Sequence, residues 1–515
     1  MRTIGIDIGT TTLSIVLLEP VTGKVVEVKT IPNTGVMEST ISFEKIQDPE
    51  EILRLCKGLL QEMAGTDSFE QVKGIGVTGQ MHGILYLNAK GDAVSPLYTW
   101  QDARGNQLLP EDKSGQQGLS YAGYAQQETG YFLASGFGGV THYYNAVNGL
   151  VPKEATCFCT IADYIGMKLS GRSKPLLHPS MAASLGLYDL REKCFDQEAI
   201  EKLGLDFTFF PEIHSGECWI GSTEDGIPVS VALGDNQASF LGATRGVTHP
   251  SKGIKTQRGA STESSSRSIL LNIGTGSQIS IYSESLGAAK GGEYRPYLRD
   301  SFIWAGSPLC GGYSYHLLKN FFEKALELFG ATPTVDLYQA MNQAGECLYN
   351  ECSVAGLGGD DKQRDEKQRH SLRTDTFQVD TRFKGTRTDP KRLGSFLHIA
   401  EENLQPDHFV LGFLKGIAGE LYEFYQDFLL SDTSSTDTSS TDTSSIEATS
   451  TDVPSVAPSM TLIGSGNGLR KNPLLRRICS ELFGEEMLLS SLPEEAACGS
   501  AFLAGELCKE EEMSL

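Results

Sequence analysis

The sequence lacks the features of several common protein classes. No apolar run approaches the ~20 residues of a membrane span, and Met1–Asp7 enters a strand without a signal region. Basic residues are few: 43 lysines and arginines face 65 aspartates and glutamates, a formal net charge of −22. Such an acidic protein repels phosphate backbones and anionic lipid. We therefore expect a cytoplasmic protein with no nucleic-acid partner and no membrane partner.

Several motifs of enzymes and metal sites are also missing. The chain has no G-x-x-x-x-G-K-[ST] loop, no H-R-D or D-F-G pair, no G-x-S-x-G and no H-E-x-x-H. The 11 cysteines are scattered without a C-x-x-C pair, which favours reduced, structural thiols over a metal site. One dinucleotide-like string, Gly74–Gly79, is followed by strand-like rather than helical sequence. This context disfavours a nicotinamide-binding loop.

The order of the predicted elements indicates an α/β protein. Apolar alternation predicts an antiparallel meander over Ile4–Ile8, Leu13–Leu17 and Lys24–Thr30, followed by a helix over 48–63 that Asp48 would cap. The pattern strand, Gly/hydroxyl turn, strand returns at 269–282. Either the chain contains two related domains or the two hairpins are alike by chance, because many hairpins share this pattern.

A length of 515 residues allows two or more domains. We place an N-terminal domain at 1–240 and a C-terminal domain at 241–515. Three segments have compositions that cannot bury enough apolar surface to offset the entropy of ordering, and we expect them to be disordered surface loops. They are the Ser-rich 245–268, the charged 358–373, and 431–459, which repeats Asp-Thr-Ser-Ser-Thr.

Three turns rich in glycine and hydroxyl residues stand out, at 9–12, 274–277 and 464–468. Glycine lets backbone N–H groups approach a ligand closely, and Thr and Ser add donors, so such turns can bind anions. Each alone could be an ordinary hairpin turn. Together, with an aspartate beside the first, they favour a polyphosphate held between two domains.

Two carboxylates follow apolar strands. Asp7 could be a turn carboxylate or could hold Mg²⁺ through water, since Mg²⁺ keeps most of its hydration. Asp235 follows Val229–Leu233 and could accept a proton from a substrate hydroxyl, or could cap the helix that starts at Asn236. The loops Gln80–His82 and Trp100–Arg104 are dense in hydrogen-bonding groups, which suits a polyhydroxylated ligand.

The same strings together resemble the FGGY carbohydrate kinases, which share the nucleotide-binding fold of actin, Hsp70 and hexokinase. They occur in the family's order over nearly the whole chain: Gly5–Thr12, Gly76–Gly83, Trp100–Arg104, Ala232–Ser239, Asn272–Gly276, Gly464–Gly466 and Ala496–Gly505. The segments 134–139, 160–164 and 181–184 are most similar to sedoheptulokinases, although xylulokinases share the Gly-Gln-Met-His-Gly string. The resemblance implies two actin/hexokinase-like, ribonuclease H-like domains with a cleft between them.

The resemblance also implies roles for residues on the two sides of that cleft. Asp235 would be the general base, and Asp7 would organise Mg²⁺ and the phosphates of ATP. The N-terminal domain would be the sugar side, lined by Met81, His82, Trp100, Asp102 and Asn236. The C-terminal domain would be the ATP side, and the residues expected to contact ATP are Thr10, Thr11, Gly274, Thr275, Gly312, Gly464, Gly466 and Asn472. Asn472 could instead cap the helix that begins at Pro473.

Two departures from the family pattern matter. Thr141–Asn145 replaces a segment that often carries Lys and Trp, and Gly464–Asn472 is longer than usual. We expect a kinase that uses Mg-ATP to phosphorylate a primary hydroxyl of a ketose, with sedoheptulose as the first choice. A xylulokinase- or ribulokinase-type enzyme, a non-catalytic sugar- or nucleotide-binding protein and a nicotinamide oxidoreductase remain alternatives. The sequence is compatible with a monomer or a homodimer.

Overall fold

The computed structural model describes residues 1–66, 69–110, 118–247, 268–355, 377–386, 389, 391–433 and 460–514. The predicted loop 358–373 lies outside the described residues, as do all but the ends of 245–268 and 431–459. The cysteines whose side chains are described are all free, as expected for reduced thiols. No helix in the described part of the chain combines the length and apolarity needed to cross a membrane.

The N-terminal part begins with the predicted meander and contains mostly short elements after it. Asp48 accepts hydrogen bonds from the backbone of Glu50 and Glu51, so it caps the first helix as predicted. The strands are β1 (Arg2–Ile8), β2 (Thr12–Glu19), β3 (Lys24–Pro32), β4 (Val36–Met37), β5 (Ile46–Gln47), β6 (Val72–Gly79), β7 (Leu85–Leu87), β8 (Leu97–Tyr98), β9 (Cys157–Cys159), β10 (Leu176–Leu177), β11 (Tyr188–Asp189), β12 (Cys194–Phe195), β13 (Glu212–Ile213), β14 (Trp219–Ser222), β15 (Pro228–Ser230) and β16 (Leu233–Gly234). The helices are α1 (Pro49–Ala64), α2 (Tyr121–Thr129), α3 (Gly138–Val147), α4 (Ile161–Leu169), α5 (Pro179–Ser184), α6 (Gln197–Lys202) and α7 (Asp235–Arg245).

The C-terminal part repeats the opening plan. Its strands are β17 (Ser268–Ile273), β18 (Ser277–Ser283), β19 (Glu293–Pro296), β20 (Phe302–Gly306), β21 (Gln378–Asp380), β22 (Ser395–Leu397), β23 (Thr461–Ser465) and β24 (Leu488–Leu489). Its helices are α8 (Gly311–Leu328), α9 (Leu337–Ala355), α10 (Pro406–Thr433), α11 (Gly466–Lys471), α12 (Pro473–Phe483) and α13 (Glu495–Ser514). The segment 464–468, expected to be a turn, is the end of β23 followed by the first turn of α11.

The two large sheets have corresponding strand orders. The N-terminal sheet runs β14-β15-β6-β1-β2-β3, with β16 also paired to β6, and the C-terminal sheet runs β19-β20-β18-β17-β23-β24. In each, an antiparallel meander is extended by parallel strands on the far side of its first strand. The repeated strand–turn–strand pattern therefore reflects a repeated domain plan. The exact boundary near residue 240 stays a prediction.

Helices α7 and α13 pack against each other and connect the two sheets. Helix α13, at the C-terminal end of the described chain, packs on β1, β2 and β6 and on α7, while α7 also contacts β17 and β23. One apolar core contains residues from both sheets and both helices, including Val16, Phe240, Leu270 and Phe502. The two sheets are thus joined through a shared layer of two helices.

Glycines allow this close packing. A Cβ on Gly5 would lie 1.8 Å from the carbonyl oxygen of Ala497, and one on Gly76 would lie 1.8 Å from that of Ser500. The small residues of 496–505 therefore do pack closely against neighbours, as predicted. Gly76 lies inside β6, so Gly74–Gly79 is a buried strand. The nicotinamide alternative is wrong on this point, because a phosphate-binding loop must lead from a strand into a helix.

Candidate active site

Asp7 lies near the carboxyl end of β1, and Asp235 follows the carboxyl end of β16. Thr78 of β6 lies opposite Asp7 of β1 on one side and opposite Leu233 of β16 on the other. The Thr78 hydroxyl donates to the Leu233 carbonyl at 2.7 Å, which fixes the end of β16. Asp235 follows two residues later, so both carboxylates lie at the same edge of the sheet, on either side of β6.

Asp235 is the first residue of α7, and Gly234 occupies the N-cap position. The alternative that Asp235 caps the helix is therefore wrong. Burial raises the pKa of Asp235 to about 6, while the backbone N–H of Asn236 and the charge of Arg295 oppose this rise. A carboxylate with a pKa near 6 is ionised at neutral pH and still basic enough to accept a proton. Asp235 thus has the protonation behaviour of a general base.

Asp7 lies in a concentration of negative charge. Burial, followed by the charges of Asp235 and Glu494, raises its pKa to about 7. Glu494 is fixed in place because Ser14 Oγ and Thr30 Oγ1 donate to its two oxygens at 3.0 and 3.1 Å. Ser14 is the register partner of Asp7, and Thr30 is the partner of Ser14. A polar row thus crosses three strands and ends at Asp7.

A hydrated divalent cation fits this arrangement. Within the described residues, no group of three acidic, histidine or cysteine side chains is arranged to hold a metal directly. Repulsion from its acidic neighbours makes ionised Asp7 unfavourable, and a nearby cation would relieve it. Mg²⁺ commonly binds through its own water and one or two carboxylates. The water-mediated role of Asp7 toward Mg²⁺ stays a prediction.

Met81 and Asn236 lie next to Asp235. A Cβ on Gly234, the residue before Asp235, would lie 2.8 Å from Met81 Sδ. Asn236 Nδ2 donates to Ser280 Oγ at 3.5 Å, and its buried Oδ1 has no hydrogen-bond partner among the described residues. An unpartnered buried amide oxygen suits a ligand hydroxyl. These two predicted sugar-side residues are therefore close to the candidate base.

His82 is held in an uncommon backbone conformation, with φ of 72°. Its backbone N–H donates to Ser184 Oγ at 3.1 Å, its Nδ1 lies 2.7 Å from the Ser184 carbonyl oxygen, and its ring stacks on Phe137 at 4.6 Å. Positive φ in a non-glycine residue persists only where surrounding contacts enforce it, and such residues cluster at functional sites. The contacts with Ser184 and Phe137 fix the imidazole beside Met81.

Trp100 and Thr10 meet at the other end of the site. Trp100 is 47% exposed, and its Nε1 donates to Thr10 Oγ1 at 3.0 Å. Thr10 in turn donates to Gln80 Oε1 at 3.3 Å, while Thr11 is exposed. A predicted sugar-side residue therefore contacts a residue predicted for the nucleotide side. The indole face remains available to a ligand.

Asp102 has a different environment from its predicted one. It is 1% exposed, and its oxygens accept from Arg104 Nε at 2.7 Å, Arg104 Nη2 at 3.1 Å and the Lys45 backbone N–H at 3.1 Å. Arg104, also 1% exposed, donates to Asn145 and Glu44 as well. Asp102 thus orients a buried arginine behind the site. A direct sugar contact by Asp102 stays a prediction.

Three glycine segments of the C-terminal domain meet at the end of β17. A Cβ on Gly312 would lie 2.2 Å from the Gly274 carbonyl oxygen, and one on Gly466, whose φ is 84°, would lie 2.5 Å from that of Ile273. Thr275 is exposed at the tip of the intervening turn. Because the three segments converge, the structure supports the inference that they form one ligand-binding surface.

Gly464 and Asn472 are less suited to direct contact. Gly464 is buried inside β23, where a Cβ would lie 2.7 Å from Met487 Sδ. Asn472 caps α12 by accepting from the Leu475 backbone at 3.0 Å, and its Nδ2 donates to Asn342 at 3.0 Å. The capping alternative for Asn472 is confirmed. The contacts of both residues with ATP stay predictions.

Sequence reasoning missed Glu494 and Arg295. Both come from segments far from the aspartates they influence, so no local motif announces them. Ser14 offered one signal, because it is a hydroxyl residue inside the apolar run of β2, at the register position of Asp7. A polar residue on a buried strand face requires a partner, and that partner is Glu494.

Comparison with known proteins shows a similarity to one family in the N-terminal part of the chain. Residues 2–242 match the profile of the N-terminal domain of the FGGY family of carbohydrate kinases. Sedoheptulokinase of Mus musculus is 29% identical over 267 residues, which is 46% of this chain and 54% of that protein. Glycerol kinase of Aquifex aeolicus is 26% identical over 255 residues, which is 46% of this chain and 49% of that protein. The match thus spans about half the length of these curated relatives.

Solved structures extend the likeness to both domains. Xylulose kinase from Rhodospirillum rubrum superposes with a TM-score of 0.71 at 18% identity, over 98% of this chain and 89% of that one. This likeness confirms the expected fold of two actin/hexokinase-like domains. Residues 2–242 are therefore similar to the N-terminal domain of the FGGY family of carbohydrate kinases.

Proposed function

We propose that this protein transfers the γ-phosphoryl group of ATP to a primary hydroxyl of a ketose. The placement of Asp235 carries the proposal. It is a buried carboxylate with a pKa of about 6, at the first turn of a helix shared by both sheets, and it lies beside Asp7 across β6. A base for the sugar hydroxyl and an acidic group for metal-bound phosphates are needed together in such a transfer.

The residues divide the work. Asp235 accepts the proton of the attacking hydroxyl, which contributes about 10²–10⁴-fold to the rate. Asn236, Met81 and His82 position the sugar, and the glycine segments around Gly274 and Gly466 leave room for the phosphates. Mg²⁺, when bound near Asp7, would offset the charge of the phosphates. Closure of the two domains would exclude water and so favour the sugar over hydrolysis.

Sedoheptulose is the proposed acceptor, and a pentulose is the second candidate. The identity with a sedoheptulokinase and the segments 134–139, 160–164 and 181–184 support the first choice. The Gly-Gln-Met-His-Gly string at 79–83, which xylulokinases share, supports the second. A non-catalytic binding protein would not need both Asp7 and Asp235 in this juxtaposition.

Rates with a panel of acceptors decide among these candidates. ADP production is measured with Mg-ATP and sedoheptulose, xylulose, ribulose or glycerol, and the acceptors are compared by kcat/KM. We expect sedoheptulose to give the highest value. An equal or higher value for xylulose or ribulose would reject that choice, and background rates with all four would favour the non-catalytic alternative.

Replacing the base tests the mechanism. Asp235→Asn keeps the size of the side chain but cannot accept the proton, so we expect kcat to fall about 10²–10⁴-fold. The melting temperature should be unchanged or higher, because the substitution removes a buried charge. Asp225→Asn, which changes an exposed carboxylate, serves as the matched control and should retain wild-type kcat. Wild-type turnover in Asp235→Asn would show that another group is the base.

A further inference from the structure

The first turn of α7 is attached to the C-terminal sheet beside Asp235. Asn236 Nδ2 donates to Ser280 Oγ of β18 at 3.5 Å, and Gln237 Nε2 donates to the Pro296 carbonyl of β19 at 3.0 Å. These amides are the two residues that follow Asp235. The first turn of α7, which contains the candidate base, therefore lies against β18 and β19 of the opposite domain.

Arg295 lies in β19. It pairs with Ile303 of β20, which in turn pairs with Tyr282, and Ile303 belongs to the apolar core shared with α7. The preceding residue, Tyr294, points to the opposite face and belongs to the C-terminal core. Alternation along the strand therefore directs the guanidinium of Arg295 toward α7, one residue before the carbonyl that α7 binds.

The Arg295 guanidinium uses only part of its N–H donors within the described residues. Its Nε donates to Glu293 Oε1 at 2.9 Å and its Nη2 contacts the same oxygen, so one acceptor atom takes both bonds. Within the described residues, Nη1 has no hydrogen-bond acceptor. The side chain is only 14% exposed, and its positive charge acts on Asp235 by opposing the burial-induced rise in its pKa. Arg295 is thus a partly buried cation that reaches the site electrostatically.

Stability alone does not account for Arg295. Its partner Glu293 is 43% exposed, and ion pairs with an exposed member contribute only about 0–1 kcal/mol. An apolar residue at 295 would suit a strand face that otherwise packs against Ile303 and Tyr282. A cation at this position is better explained by a ligand of opposite charge.

We propose that Arg295 is a catalytic residue that donates a hydrogen bond to a non-bridging oxygen of the γ-phosphoryl group during its transfer; the inference rests on the function proposed above. The hydroxyl proton goes to Asp235, the sugar oxygen bonds to phosphorus, and the bond from phosphorus to the β–γ bridging oxygen breaks, leaving its electron pair on ADP. Charge spreads over the non-bridging oxygens in the transition state. A fixed cation beside Asp235 stabilises that charge.

Substitutions at 295 test this role in the full-length protein with its best acceptor and Mg-ATP. In Arg295→Met we expect kcat to fall about 10²–10³-fold, the loss typical of removing one preorganised donor. The KM values for ATP and sugar and the melting temperature should change little. The kcat of Arg295→Lys should lie between those of the wild type and Arg295→Met. Added guanidinium ion should restore part of the activity of Arg295→Ala. Arg299→Met, a half-exposed arginine nearby that is paired with Glu510, is the control and should retain wild-type kcat.

The outcomes separate this proposal from the previous one. An inactive wild type with every ketose would overturn the proposed function and this role with it. An active wild type whose kcat is unchanged in Arg295→Met would overturn the role of Arg295 alone. If Arg295→Met does not fold, Arg295→Lys decides. Wild-type kcat in that variant would contradict the proposed hydrogen bond from the guanidinium, and a loss of kcat at unchanged melting temperature would support it.

Discussion

The two domains contribute different chemical groups to the site. The N-terminal sheet presents side chains, with Asp7 and Asp235 flanking β6 and a polar row leading to Glu494. The C-terminal sheet presents glycine segments at the end of β17, where Gly312 and Gly466 approach backbone carbonyls too closely for any side chain. The first half can act on a substrate by proton transfer and charge, whereas the second can bind mainly through backbone N–H groups.

This difference predicts how each half responds to substitution. A side-chain site loses function when one functional atom changes, and its fold persists. A backbone site has no functional side-chain atom to remove, so it is disturbed only when a new side chain displaces the chain. Substitutions at the carboxylates of the N-terminal half should therefore lower kcat without unfolding the protein, and those in the glycine segments of the C-terminal half should change stability and nucleotide affinity together.

Asp7→Asn should give the largest effect, and it tests the comparison most directly. We expect kcat to fall about 10²-fold or more, because the variant lacks the carboxylate that would hold Mg²⁺ near the phosphates. The free energy of unfolding should rise in this variant at neutral pH. The pKa of Asp7 is raised from 3.8 to about 7 in the folded protein, so the folded state binds the proton more tightly than the unfolded state does. The wild type therefore loses stability as the pH rises from about 4 to about 7.

Chemical denaturation without divalent cation measures this loss. Asn carries no charge, so Asp7→Asn should equal the wild type near pH 4 and exceed it above pH 7, by an amount on the order of 4 kcal/mol in the free energy of unfolding. Adding Mg²⁺ should narrow the gap by stabilising only the wild type. A gap independent of pH between 4 and 8 would contradict the assigned charge environment of Asp7.

The sequence was a good guide wherever information is local. The meander over 4–30, the capped helix after Asp48 and the repeated hairpin at 269–282 all follow from short-range periodicity, and the structure confirms them. The close packing of 496–505 was also predictable from its small residues. The partners of α13 were not predictable. This helix belongs to the C-terminal part of the chain, but it packs on β1, β2 and β6 of the N-terminal sheet.

Long-range contacts also explain what was missed at the site. The environment of Asp102 depends on Arg104, Lys45 and Asn145, which alternation patterns do not bring together. Glu494 reaches Asp7 from almost the other end of the chain. A single sequence indicates which residues have side chains suited to a ligand. It does not show which of those side chains hydrogen-bond to each other instead.

Gly466→Ala should give the next largest effect, in the C-terminal half. The residue has φ of 84°, and a Cβ would lie 2.5 Å from the Ile273 carbonyl oxygen and 2.7 Å from Asn272 Oδ1. Left-handed strain and overlap together should lower the free energy of unfolding by about 1–3 kcal/mol. Movement of α11 against β17 should also raise the KM for ATP, with little change in the KM for the sugar.

Gly276→Ala is the matched control within the same surface. A Cβ there meets nothing within 4 Å, so the melting temperature should not change. If the turn at 274–277 approaches phosphate through its backbone, the KM for ATP should still rise in this variant. Loss of kcat without any change in stability or ATP affinity in Gly466→Ala would break the comparison, because it would mean that the glycine segments also act directly on the chemistry.

Trp100→Phe should give the smallest effect and tests where the two halves meet. The substitution keeps an aromatic face and removes only the Nε1 hydrogen bond to Thr10 Oγ1, which contributes about 0.5–1.5 kcal/mol. If the indole face contacts the sugar, Trp100→Ala should raise the sugar KM at least tenfold and Trp100→Phe only a few-fold. Thr10→Val removes this bond together with the bond to Gln80, so adding Trp100→Phe to Thr10→Val should not raise the sugar KM further. Additive effects on the sugar KM would show that Thr10 and Trp100 serve separate ligands, one on each side of the cleft.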